Sequence, residues 1–346
     1  MKTVVSVNEI SEFEIKPKDQ LIEWKQLVAK EMAERWSDER LWVIVECPVC
    51  SSHDSNNTFV KQGFSYAECA VCKTLYAQNR PSVEELNWWY TSSRSVESWQ
   101  NTLLRSSAES REAKIIEPRA NWILDGLSEY MPNCNLSTVT CTDISFFGKS
   151  LLEKIGQYVD GMQLTAAGIT AKNEQYETGN VVKDPVLSIN SFSGVQKTDV
   201  LIAIDVFERV PSIHQLLTQL ERIVNPGGLV FATCPVSSGF EIQSLWDKSV
   251  TITQPDKLNL PSVKGLVDYI SSSAAWDIME LSTPGMFDVE LVHRAMIQFP
   301  DEPWPRSLHA LLDGIDPNGV ERFTEYLQSQ LLSSFARIVL KRRDKK

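Results

Sequence analysis

The chain is short of histidine, of long apolar runs and of positive charge, and each shortage excludes a class of function. Its four histidines, His53, His214, His293 and His309, form no H-x-x-x-H pair, so a helix-borne histidine metal site is excluded. There is no G-x-S-x-G nucleophile elbow and no G-x-x-x-x-G-K-[ST] phosphate loop. Gly148-Lys149-Ser150 ends like such a loop, but Asp143 stands where its first glycine is needed. No stretch approaches the ~20 apolar residues that span a bilayer, and the apolar run after Lys2 stops at Asn8, too early for a signal peptide. The 34 Lys and Arg face 45 Asp and Glu, a net charge of −11. That balance argues against a protein that coats nucleic acid, because phosphate contacts need clustered cations. The expectation is a cytoplasmic protein with no membrane or nucleic-acid partner. The basic tail from Lys341 to Lys346 reads as a solvated end.

Of the seven cysteines, four form two pairs, Cys47-Pro48-Val49-Cys50 and Cys69-Ala70-Val71-Cys72. An odd total without an export signal disfavours a disulfide framework. The spacing C-x2-C-x18-C-x2-C lies in the range of structural zinc sites. Each C-x-x-C turn aims two thiolates at one point, and a hairpin brings the second pair across. Four soft sulfurs in a tetrahedron select zinc over magnesium or calcium. They also leave no position open for water, so the metal is expected to be structural. Phe59, Phe64, Tyr66, Leu75 and Tyr76 are placed to clothe the ribbon. His53 reads as a surface polar residue.

Around the cysteines the pattern is helical. Leu21, Trp24, Val28, Met32 and Trp36 recur at three- and four-residue steps and predict an amphipathic helix over 17–36, packed on its own chain. Ser82 with Glu85 has the spacing of a capping box opening a helical stretch over 82–130. Pro118 is expected to kink or break it. From about residue 137 short β-rich runs alternate with helices. Strands are expected at 137–142, 162–170, 199–204, 229–234, 276–282 and 334–341. Helices are expected at 149–158, 213–224, 263–272 and 318–333, with a turn at Asn225-Pro226-Gly227-Gly228. Such alternation implies a doubly wound α/β sheet. The divisions drawn are residues 1–40 (amphipathic helix), 41–80 (zinc ribbon), 81–133 (helical linker) and 134–346 (α/β domain). A protein partner would meet the chain through residues 1–40 or the linker.

The block Asp205-Val206-Phe207-Glu208-Arg209-Val210-Pro211, followed by a helix, Pro226-Gly227-Gly228 and a strand ending Cys234-Pro235, resembles class I S-adenosylmethionine-dependent methyltransferases. With the cysteine segment, the layout is similar to a subgroup with an N-terminal zinc ribbon and a helical linker. Several members of that subgroup act on sugars or on products of antibiotic and polysaccharide pathways. Thr283–Val289 is similar to a late motif of the same subgroup.

The resemblance implies a Rossmann-like methyltransferase sheet, S-adenosylmethionine as cofactor and a small polar substrate such as a nucleotide-linked sugar. It places Asp143, Ser145 and Gly148 in the first cofactor turn, Thr170 at the end of the second strand and Asp205 at the end of the fourth. Glu208 is then the candidate base, and Arg209 the residue that meets an anionic substrate. His293 and Arg294, just after the late motif, could line the cleft or form a solvated surface pair. The sequence departs from the family pattern at two places. Ser145, Phe146 and Phe147 replace small residues in the first turn, and Thr170 replaces an acidic residue, with Glu174 a substitute only if its loop folds back. Two readings follow: a methyltransferase, or a catalytically inactive methyltransferase-like module used for interaction or assembly.

Overall fold

The computed structural model describes residues 12–146, 149–168, 181–183, 192 and 195–344. In its N-terminal part the long helix α1, Lys18–Arg35, buries Leu21, Val28 and Met32 along one stripe and ends against the buried Trp36. Four antiparallel strands follow: β1 (Trp42–Ile44), β2 (Ser55–Lys61), β3 (Phe64–Cys69) and β4 (Leu75–Pro81), in the order β1-β4-β3-β2. Helix α2, Val83–Ser92, begins where Ser82 caps it, its hydroxyl accepting the Glu85 N–H at 3.4 Å. The capping box is only half made. The Glu85 carboxylate turns instead to Arg35, at 2.7 and 2.8 Å, and to the Trp36 indole at 3.0 Å. A bidentate ion pair with a distant helix outweighs the local reciprocal bond.

The helical stretch after α2 does not break at Pro118. A π-helical segment, Glu112–Ile116, leads straight into helix α3, Glu117–Tyr130, with Pro118 in its first turn. The helix runs on through Pro118 at this π-turn, where the Glu117 N–H bonds back to the Glu112 carbonyl.

The C-terminal part is built on a seven-stranded sheet. Its strands are β5 (Thr140–Asp143), β6 (Gln163–Ala166), β7 (Val181–Lys183), β8 (Thr198–Ile204), β9 (Val224–Pro235), β11 (Trp276–Ser282) and β12 (Phe335–Arg342). Their order is β11-β12-β9-β8-β5-β6-β7. Pairing is parallel from β7 to β9, while β12 runs antiparallel to both neighbours. The chain builds outward from β5 to β7 and returns on the other side at β8. The topological switch point therefore lies between β5 and β8, where open α/β sheets take their ligands.

Both faces of this sheet are covered. Val200, Ile202 and Ile204 point to the face packed by α3 and by α4 (Lys149–Tyr158), while Leu201 and Ala203 point to the other, packed by α5 (Ile213–Ile223) and α6 (Val263–Ser272). The alternation explains why 199–204 reads as one continuous apolar run. Two details correct the sequence reading. Asn225–Gly228 lies inside β9 as an irregularity in the β8 pairing, with Gly227 at φ +78°, and not as a separate turn. Helix α7, Asp288–Gln298, was not expected; with α8 (Pro317–Ser329) it forms a third core around Val289, Val292, Leu308 and Leu327.

The ribbon and the sheet share one core. A single buried cluster runs from Val28 and Met32 through Phe64, Tyr66 and Leu75 to Leu201, Ala203 and Leu216. The two-residue strand β10, Asn259–Leu260, comes from the C-terminal half yet pairs with β4 of the ribbon. No described helix is long and apolar enough to cross a membrane.

Candidate metal centre and strand-end cleft

The two cysteine turns are built alike. In each, the residue after the second cysteine is left-handed, Ser51 at φ 55° and Lys73 at φ 58°. Its N–H returns to the carbonyl of the first cysteine, at 2.9 Å for Ser51 to Cys47 and 3.1 Å for Lys73 to Cys69. The first cysteine's own N–H reaches forward to Ser52 at 3.1 Å and to Thr74 at 2.9 Å, respectively. The matched turns face each other and bring the ligand atoms of Cys47, Cys50, Cys69 and Cys72 within 4.8 Å of one another.

The Cys47–Cys72 and Cys50–Cys69 sulfurs are 3.4 and 3.5 Å apart. A tetrahedral zinc with bonds of about 2.3 Å requires sulfur–sulfur edges of about 3.8 Å, so the donor set fits that ion in identity and size. The close sulfur contact pushes the Cys47 thiol up and draws Cys72 down to about 5, with the Thr74 hydroxyl also favouring the Cys72 thiolate. His53 lies outside the cluster, exposed and 3.3 Å from Glu46.

Both turns press on the α/β half. The Pro48 carbonyl accepts the His214 N–H at the start of α5, at 3.0 Å. The Cys72 carbonyl accepts the Ser262 hydroxyl, which caps α6, at 2.7 Å. Each carbonyl thus sits at a helix N-terminus, where free N–H groups and the positive dipole end favour it. His214 is exposed and contacts the Tyr269 hydroxyl.

At the switch point, Asp143 ends β5 and is buried. Its Oδ1 accepts the Ser145 N–H at 2.7 Å, and Oδ2 has no partner among the described residues. Burial pushes this carboxyl up to about 6, against the opposing pull of Ser145 and Arg119. The Ser145 hydroxyl accepts the Ile204 N–H at 2.8 Å and so ties the β5 turn to the end of β8. Gly168, just past β6, packs so closely that a Cβ there would meet the Ser145 carbonyl at 2.1 Å. Gly148, Thr170, Phe147 and Glu174 lie outside the described residues.

Asp205, just past β8, has φ 55°. Its N–H donates to the Thr233 hydroxyl at 3.1 Å, and that hydroxyl donates back to Oδ1 at 3.0 Å. Oδ2 lies 3.7 Å from Arg119. Burial alone would raise its pKa, but Arg119, Lys257 and Arg209 together hold it down at about 2. Its side chain keeps 32% of its surface exposed, so an ionised carboxylate reaches solvent at this strand end.

Glu208 is fully sealed. Lys257 donates to its Oε1 at 2.7 Å, Arg209 lies at 3.5 Å, and burial pushes the carboxyl up. Arg209 is engaged within the chain: it donates to the Asp205 carbonyl at 2.5 Å and lies 3.5 Å from Asp256. Its guanidinium covers the Phe146 ring at 5.3 Å, and Phe146 packs on the buried Tyr90 at 4.6 Å. Arg294 ties α7 to the N-terminal Glu12 at 2.6 Å.

Asp143, Ser145, Asp205, Glu208 and Arg209 therefore gather at one end of β5 and β8. Sequence reasoning missed Arg119, Thr233, Asp256 and Lys257, which reach them from three different segments without a local motif. The acceptor exposed at this strand end, the partly exposed Asp205 carboxylate, suits a ligand bearing hydroxyl or ammonium donors.

No family model matches the chain, and no curated protein does. Among solved structures it is similar to the plantazolicin methyltransferase BpumL bound to a desmethylplantazolicin analogue and S-adenosylhomocysteine, at 14% identity and a TM-score of 0.43, covering 76% of this chain and 98% of that one. It is also similar to coclaurine N-methyltransferase, at 13% identity and a TM-score of 0.40 over 64% of this chain and 72% of that one. The [4+2]-cyclase SpnF gives 13% identity and a TM-score of 0.40 over 65% and 81%. Likenesses this distant leave activity and substrate to be argued from the site itself.

Proposed function

We propose that the α/β half binds S-adenosylmethionine at the β5–β8 crevice and transfers its methyl group to a small polar acceptor, while Cys47, Cys50, Cys69 and Cys72 hold a structural zinc. The observation that carries the reading is the ionised, half-exposed Asp205 at the switch point, beside the buried Asp143 turn. In this reading Asp205 accepts hydrogen bonds from the cofactor, and Asp143 with Ser145 shapes the turn against which it lies. When bound, the cofactor supplies an electrophilic methyl carbon on a sulfonium. The protein's contribution is proximity and orientation. Tyr90, Phe146 and the Arg209 guanidinium form a wall that keeps water from the reacting end. Glu208, closed off under Lys257, acts as a positioning residue: its carbonyl accepts the Leu258 and Asn259 N–H groups at 2.8 and 3.2 Å and fixes the loop carrying Asp256.

The reading is tested by incubating zinc-loaded protein with S-adenosylmethionine and a panel of small hydroxyl, amine and carbon acceptors. Formation of S-adenosylhomocysteine that depends on both acceptor and protein supports it. Its absence across the panel, with the cofactor bound, opposes it. The second reading, an inactive methyltransferase-like module, draws on the Gly168–Ser145 contact and on the Phe146 packing, both of which crowd the cofactor's side of the crevice.

A further inference from the structure

Three arginines face the same end of the sheet as Asp205, in a chain whose net charge is −11. Arg337 lies on β12, opposite Thr233 of β9, and Thr233 is the residue bonded to Asp205. Its guanidinium lies over the Trp122 ring at 5.2 Å, and its buried Nε has no hydrogen-bond partner among the described residues. Arg119, on α3, faces Asp205 at 3.7 Å, beyond the length of a good hydrogen bond.

Arg111 sits one residue before the π-helical segment Glu112–Ile116. In a regular helix, turning about 100° per residue, positions eight apart diverge by roughly 80°. A π-turn inserts a residue without adding a turn, so Arg111 and Arg119 come back to one face. The charges agree with that alignment. Burial draws Arg111 down to about 10, Arg119 adds to the fall, and Asp205 opposes it. Arg337 is likewise drawn down to about 10 by burial, with Arg119 adding to it. Of the nearby carboxylates, Asp143 is sealed, and Glu280 is occupied by the Trp122 indole at 3.1 Å and the Ser282 hydroxyl at 3.2 Å. Asp205 faces Arg119 and Arg111, and Glu280 opposes Arg337.

We propose that Arg111, Arg119 and Arg337 form an anion-recognition subsite for the methyl acceptor, which therefore carries a phosphate or carboxylate group. The guanidinium fork matches either anion in bidentate fashion. As an acceptor subsite the inference rests on the methyltransferase reading; as an anion site it stands alone.

The test uses the intact zinc-loaded protein and its tryptophan fluorescence, with Trp122 under Arg337 as reporter. Inorganic phosphate and succinate are titrated separately against sodium chloride of equal ionic strength. One of the two is expected to bind saturably with a Kd of about 1 mM or tighter, and whichever binds names the group. Arg337→Met and Arg111→Met should each weaken it by about tenfold or more. Arg337→Lys should restore only part, and in the Arg337 variants S-adenosylhomocysteine affinity should stay within about twofold, because Arg337 is set against Glu280 and not against Asp205. No saturable binding of either anion, or binding unchanged in folded Arg111→Met and Arg337→Met proteins, overturns the proposal. Anion binding that persists where S-adenosylhomocysteine does not bind would sink the cofactor reading and leave the anion site standing.

Discussion

Ser262 donates its hydroxyl hydrogen to the Cys72 carbonyl at 2.7 Å, and the same oxygen accepts the Gly265 N–H at 2.8 Å. The N-cap of α6 is thereby also a clamp on the second cysteine turn. A Cβ at Gly265 would lie 2.3 Å from that carbonyl, a backbone atom that cannot swing aside. Gly265→Ala should cost about 1–3 kcal/mol in urea unfolding, typical of overpacking, and should weaken zinc retention in parallel. An unchanged midpoint would show that the cysteine turn is not pinned here.

Removing the metal should reach beyond the ribbon. Because one cluster joins Phe64 and Tyr66 to Leu201 and Leu216, Cys69→Ser is expected to abolish zinc binding and lower the melting of the whole chain in one transition. The loss should exceed about 4 kcal/mol, the scale of losing a structural metal or a comparable buried feature. Metal analysis and calorimetry check it. Two separated transitions, with the α/β half unaffected, would contradict a shared core.

Glu208→Gln separates a positioning role from a catalytic one. It leaves the partly buried Lys257 ammonium, 2.7 Å from Glu208 in the wild type, without its nearest counter-charge. A stability loss of about 3–5 kcal/mol is expected, as for other broken buried pairs, with the shape of the pH–rate profile unchanged. A fall in kcat of about a hundredfold or more at unaltered stability would instead mark Glu208 as a general base.

Asp143 sets a pH dependence of definite sign. Burial raises its carboxyl to about 6 in the folded chain, above an unfolded value of about 3.9. Between these values the folded state holds the extra proton, so this group's contribution to stability declines as pH rises through that window and is least favourable above it. Asp143→Asn removes that slope and gives up a charge-assisted bond from Ser145. It should gain about 2 kcal/mol relative to wild type between pH 4 and pH 7. Denaturation at both pH values measures it; a relative loss at pH 7 would contradict the burial argument.

What could be read in advance was local. The cysteine spacing announced the four-cysteine cluster because one turn places two thiols. Helix 149–158 and strand 199–204 follow from short-range periodicity. The Asp205–Pro235 block led to one end of the sheet, because residues just past a strand must lie at its edge. Convergence across the chain was not legible. Arg119 and Lys257 meet Asp143, Asp205 and Glu208 only through the fold, and nothing near Glu85 announces Arg35. Glu208 illustrates the difficulty: its neighbours in sequence suggested a reactive carboxylate, while burial and Lys257 close it off.

The central claim is that the β5–β8 crevice binds S-adenosylmethionine, and calorimetric titration of zinc-loaded protein with S-adenosylhomocysteine tests it most directly. The account predicts saturable one-to-one binding with a Kd of about 100 μM or tighter, weakened about tenfold or more in Asp205→Asn. No heat of binding at about 1 mM ligand, from protein that melts cooperatively, would contradict it and make the inactive module the better description.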